Sequence, residues 1–241
     1  MMCFVRCARY RKADRGRCDH TALHRNSESE VPAMGKKRLG MVIDLKRCIG
    51  CQTCAVACKA HNNLPNGIWW NQVLTHGGKN MDTPRGVYPD LQLLFLPLAC
   101  QHCEKPACVK ACPTGATYKQ ADGIVMMDYD HCVGCGSCIL ACPYKYVRQY
   151  NENDPRYVLD FPVGNVGIPD QQKGTVSKCT FCHTRVAKGE SPACVEVCPG
   201  KARYFGDLND QDSQVSQLLK KRQYIQLLTE RGTKPSVYFL V

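Results

Sequence analysis

Residues 132–144 read CVGCGSCILACPY, a C-x2-C-x2-C-x3-C spacing closed by proline. Residues 47–59, RCIGCQTCAVACK, repeat that spacing without the proline. Residues 100–116, CQHCEKPACVKACPTGA, widen one step to C-x2-C-x4-C-x3-CP. Residues 178–208 widen it to C-x2-C-x11-C-x3-CP, with Gly189 and Pro192 in the insertion. Three thiolates so close in sequence wrap three irons of one cube, while the fourth points away and reaches a different cube. The spacing therefore predicts four [4Fe–4S] clusters and requires the motifs to pair.

Motifs two and three are separated by only the 19 residues 113–131 and form one dicluster unit; the outer motifs one and four form the second around it. Cross-ligation then gives four sets: Cys48, Cys51, Cys54 and Cys198; Cys100, Cys103, Cys108 and Cys142; Cys132, Cys135, Cys138 and Cys112; and Cys179, Cys182, Cys194 and Cys58. All four triplets are complete, so no three-iron cluster is expected. The fold class is α+β: two ferredoxin-like dicluster units, loop-rich, with long insertions and a C-terminal helix and tail. The outer unit takes residues 39–99 and 143–207, the inner unit residues 100–142. On this reading iron, rather than a large apolar core, closes the chain between residues 58 and 179.

Two other uses of cysteine compete. Tandem Cys-x-x-Cys triplets cannot easily find separated disulfide partners. Zinc ribbons use paired Cys-x-x-Cys but need no third cysteine two residues on. The 241 residues hold 19 Cys but only 6 Phe and 2 Trp, so something besides apolar burial must hold the chain together. The formal charge of +11 counts thiols as neutral. Four cubes at roughly −2 each would leave about +3, so the basic excess is no sign of nucleic-acid binding.

Residues 1–38 stand apart as a basic extension read as disordered or mis-assigned, with Met34 or Met41 as a possible true start; Cys3, Cys7, Cys18 and His20 within it offer a weak zinc set. From there the pattern is strand, cysteine loop, short helix. Residues 40–44, 91–97 and 123–128 are the β-rich runs ahead of motifs one, two and three. Pro113, Pro143 and Pro199 end their ligand loops in a fixed turn and are able to open a helix. Residues 59–91 and 151–177 read as long loops. Residues 213–222 read as an amphipathic helix and 232–241 as an extended tail, so 208–241 is read as a helix with a partner-docking tail. The longest apolar stretch, Leu91 to Ala99, is too short to span a membrane and contains Gln92 and Pro97. No export signal with an apolar middle region precedes the motifs.

His102 and His183, inside the motifs, are candidates to ligate iron or to tune it by hydrogen bonding. His61, His76 and His131 read as solvent or loop residues. Lys59, Lys105, Lys119, Lys145 and Lys178 flank the motifs and either raise cluster potentials or balance charge. Trp69 and Trp70 read as packing residues. There is no nucleophile with a base, no phosphate loop and no open metal position, so the chain reads as a non-catalytic wire.

Over residues 39–240 these motifs resemble the four-cluster B subunits of the dimethyl sulfoxide reductase family, which serve dimethyl sulfoxide, polysulfide, thiosulfate, tetrathionate and arsenate reductases. The resemblance implies a molybdopterin-containing catalytic subunit, and often a membrane anchor that exchanges electrons with quinol in anaerobic respiration. It implies no direct small-molecule substrate. It also implies membrane association through partners, on the extracytoplasmic face after co-export with a catalytic subunit that carries a twin-arginine signal. The alternative is a cytoplasmic four-cluster ferredoxin subunit of a formate dehydrogenase or hydrogenase. A zinc-stabilised basic binding module is a third reading, from another class.

Overall fold

In chain order the elements are β1 (Leu39–Asp44), α1 (Thr53–His61), β2 (Asn71–His76), β3 (Leu94–Ala99), α2 (Ala107–Lys110), β4 (Thr117–Lys119), β5 (Val125–Met127), α3 (Ser137–Leu140), β6 (Arg148–Tyr150), β7 (Val176–Lys178), α4 (His183–Val186), α5 (Ala193–Glu196), β8 (Arg203–Asp207), α6 (Gln214–Lys221), β9 (Tyr224–Ile225) and β10 (Val237–Leu240). They come from a computed structural model that describes residues 37–76, 82–157, 159, 161 and 163–241. The mixture of small helices and small strands is α+β. The N-terminal thiols Cys3, Cys7 and Cys18, with His20, lie outside the described residues.

Strand β1 is buried along its whole length. It pairs antiparallel with β8 and parallel with β10, giving a four-stranded sheet in the order β8-β1-β10-β9. Successive strand residues face opposite sides, and both sides of this sheet are covered. Met41 and Ile43 pack with Trp70, Phe181, Phe239 and the thiols of Cys54, Cys58, Cys179 and Cys194. Val42 packs with Val215 and Leu240, beside Leu218 and Leu219 of α6. Helix α6 begins where the Ser213 hydroxyl accepts the Ser216 N–H at 3.2 Å, which satisfies one orphan donor of its first turn.

Two expectations change here. The sequence reads residues 232–241 as a docking tail, but β10 is an internal strand with Val237, Phe239 and Leu240 buried against β1. Its apolar side chains have no exposed face on which to act as a tail. The sequence also assigns closure of the chain between residues 58 and 179 to iron rather than to a large apolar core. In the structure the β1–β8 ladder already joins residues 39–43 to 203–207, and α1 packs beside α5.

The supposed loop 59–91 contains β2, paired antiparallel with β3. Trp70 precedes β2 and is buried, its indole N–H donating to the Ser177 hydroxyl at 3.1 Å. Lys59 turns inward to donate to the Pro65 and Ile68 carbonyls, with its ammonium 4.5 Å from the centre of the Trp69 ring. Residues 151–175 connect the antiparallel pair β6 and β7. The motif prolines give turns that lead into β4, β6 and β8; none opens a helix. No helix among the described residues is long and apolar enough to cross a membrane.

Candidate metal centre

In each motif the residue just before the second cysteine has a left-handed backbone: Gly50 at φ 71°, His102 at 41°, Gly134 at 66° and Phe181 at 53°. That reversal coils the loop so that its thiols gather on one side. Glycine takes the conformation without steric cost. At Gly134 it is also needed for space, since an added Cβ would lie 1.9 Å from the Gly174 carbonyl oxygen. His102 and Phe181 take it at a cost, and they stack on each other at 3.7 Å. Each loop then delivers its third cysteine onto a short helix: Cys54 on α1, Cys108 on α2, Cys138 on α3 and Cys194 on α5.

The motifs meet in two pairs. Helix α1 of motif one packs beside α5 of motif four, and α2 of motif two beside α3 of motif three. Cys48, Cys51, Cys54 and Cys198 line one cavity with Val73, Pro97 and Arg203. Cys58, Cys179, Cys182 and Cys194 line a second, with Cys100 also at its wall. The Asn62 amide donates to the Cys58 thiol at 3.5 Å and the Cys182 thiol at 4.0 Å, bridging residues far apart in sequence. Cys142 stands in charge contact with Cys100 and Cys108, and Cys135 with Cys112. Each pairing joins the fourth thiol of one motif to another motif's triplet.

Burial grades along these groups. Cys58, Cys100, Cys179, Cys182 and Cys194 are buried, as are Cys54 and Cys138, whereas Cys51 and Cys135 are exposed. Burial, then the thiols of Cys179, Cys182 and Cys194, raises Cys58 well above the ordinary thiol range. Burial pushes Cys103 up to about 11 and Cys142 up to about 12. Hydrogen bonds from Thr53 and Ser137 instead lower Cys51 and Cys135. Metal binding to the inner thiols would therefore release protons. Among the described residues no three His, Cys, Asp or Glu side chains could hold a single metal ion. Thiols around one zinc crowd together at Zn–S bonds of about 2.3 Å; those on the corners of a cube stand wider. The donor set fits cubes.

Of the histidines, His102 is fully buried and its Nδ1 accepts the Val125 N–H at 3.1 Å. Burial lowers its pKa well below the usual value. His131 is exposed and pairs with Asp128 at 2.8 Å. His61 lies in α1 and is half-buried, so it is no loop residue. Sequence reasoning passed over Arg148 and Arg203. Both are buried, and the Arg203 guanidinium donates to Cys54 at 3.3 Å and Cys194 at 3.9 Å. The available signal was an arginine on the short strand after a Cys-Pro exit.

A family model described as a 4Fe-4S dicluster domain matches residues 91–157 and 164–208, and a 4Fe-4S binding domain matches 39–60. All four cysteine groups fall inside these matches. A Halobacterium salinarum protein that carries the name of a dimethyl sulfoxide reductase iron–sulfur B subunit is 49% identical over 207 residues, which are 83% of this chain and 78% of that protein. The chain belongs to the iron–sulfur B subunits of the dimethyl sulfoxide reductase family. The arsenate respiratory reductase iron–sulfur subunit of Shewanella sp. strain ANA-3 is 38% identical, over 84% of this chain and 96% of that protein. The selenate reductase B subunit of Mesobacillus selenatarsenatis is 39% identical, over 83% and 70%. B subunits of this family are electron-transfer components of reductase complexes, and their cofactors are [4Fe–4S] clusters.

Proposed function

We propose that this B subunit relays single electrons through four [4Fe–4S] clusters, between a molybdopterin catalytic subunit and a quinol-linked membrane anchor. The chain itself does no catalysis. Its four ligand sets are those that the cavities and thiol contacts suggest: Cys48, Cys51, Cys54 and Cys198 (site one); Cys100, Cys103, Cys108 and Cys142 (site two); Cys132, Cys135, Cys138 and Cys112 (site three); Cys179, Cys182, Cys194 and Cys58 (site four). Sites one and four form one dicluster unit, sites two and three the other. When bound, the clusters supply one-electron donors and acceptors.

The observation that carries the reading is the gradation of burial. All four thiols of site four are buried and none of site two is exposed, and Cys179 and Cys100 of these two sites line one cavity. Sites one and three hold the exposed Cys51 and Cys135. The series one–four–two–three thus has an exposed thiol at each end and none in the middle, as a wire between two partners needs. Apolar side chains flank both ends: Ile49 and Val56 beside site one, Val133 and Leu140 beside site three. Each patch suits one partner surface. The chain's residues fix the ligands, bury site four and leave a thiol exposed at each end. Location is then set by the partners, at the extracytoplasmic face of the membrane.

The test is the complex purified anaerobically with its partners. It should contain about sixteen iron atoms per chain, and a quinol analogue should reduce its molybdenum through the chain. Molybdenum reduction at an unchanged rate after Cys135→Ser has removed its cluster would refute the relay.

A further inference from the structure

Among the described residues three cations are buried: Arg148, Lys178 and Arg203. Among the described residues none of them forms an ion pair with a carboxylate. Arg203 donates to Asn71 at 3.0 Å and otherwise faces sulfur. Lys178 donates to the carbonyls of Val125 and Cys179. Arg148 faces the Thr117 hydroxyl and the Met127 sulfur, each at 3.4 Å. Buried charges without a counter-charge are costly. The β6–β7 ladder adds to that cost by setting Arg148 directly opposite Lys178, and like charges in that position repel.

Their positions supply the explanation. Arg203 bridges Cys54 of site one and Cys194 of site four. Lys178 stands in charge contact with Cys100 of site two and Cys179 of site four. Arg148 does so with Cys108 and Cys100 of site two and Cys138 of site three. Each gap of the series one–four–two–three therefore contains one cation. We propose that Arg203, Lys178 and Arg148 are junction cations, whose charge raises the potentials of the two clusters flanking each gap and screens a reduced cluster from its neighbour. The inference rests on the four-site reading above. Reduction adds one negative charge to a cluster, and a cation beside it favours that form. At an effective dielectric of about 20, a unit charge about 10 Å away changes the reduced-to-oxidised ratio by about tenfold, which is about 59 mV for one electron.

The experiment is a potentiometric titration of the anaerobic complex, followed by electron paramagnetic resonance, with iron content measured on the same samples. Arg203→Met, Lys178→Met and Arg148→Met should each keep their iron and lower two of the four midpoint potentials by about tenfold in ratio. The pairs shifted by Arg203→Met and Arg148→Met should share no member, and Lys178→Met should shift one from each. Full iron with unshifted potentials, or an equal shift of all four, overturns the proposal. If a Met variant loses iron, the charge-conserving Arg203→Lys, Lys178→Arg or Arg148→Lys decides. Recovery of iron and potential supports a role for charge, and failure to recover assigns the residue to shape alone. A native complex with fewer than four clusters would sink the four-site reading instead, on a measurement made before any variant.

Discussion

Pairing between remote motifs is open to a test that needs no spectral assignment. Cys58 belongs to motif one by sequence, yet it lines the cavity of Cys179, Cys182 and Cys194 and shares the Asn62 amide with Cys182. Replacing both Cys58 and Cys182 by alanine therefore strips two ligands from one site. Replacing Cys58 and Cys48 strips one ligand from each of two sites. With about sixteen iron atoms in the native chain, the first pair should lose one cluster and retain about twelve irons. The second should damage two clusters, leaving about eight irons or two three-iron signals. Anaerobic iron analysis with electron paramagnetic resonance reads both outcomes. Assignment of Cys58 to its own motif's cluster gives the opposite ranking, and that ranking would refute the reasoning.

Phe239→Ala should destabilise the chain by about 3–5 kcal/mol through the cavity it leaves in the sheet, because Phe239 is fully buried; a denaturant midpoint equal to that of the native chain would restore the tail reading. Gly134→Ala must strain a left-handed residue and displace the Gly174 carbonyl, so it should selectively weaken the cluster of Cys132, Cys135, Cys138 and Cys112, measured as earlier iron loss on heating. Burial alone would raise the Asp44 carboxyl, but the Arg222 hydrogen bond and charge, with the Lys46 and Arg47 N–H groups, hold it below the usual range. A depressed carboxylate stabilises above its unfolded pKa, and the gain fades as pH falls through the folded value. The stability advantage over Asp44→Asn should thus be level between about pH 5 and 7 and shrink below about pH 4; an advantage that grew on acidification would contradict the pairing.

The sequence by itself determined the chemistry. Thiols two and three residues apart are a local constraint, so the triplets of cysteines, their left-over fourth members and the family were legible without any fold. The strand was legible as the β-rich run 40–44 and the helix as the periodic pattern 213–222, both local signals over a few residues. Tertiary structure alone decided what depends on residues far apart in the chain. Residues 237–240 look like any apolar terminus until β1 is seen beside them in parallel register. Arg148 and Lys178 are 30 positions apart in sequence, yet the β6–β7 ladder sets them face to face. Arg203 gives no sign in the sequence of the two thiols it bridges. Which cysteines form a motif follows from atoms that are close in the chain. The proposed order of the sites, and the placement of Arg148, Lys178 and Arg203, follow from how separate segments pack, which no local spacing encodes.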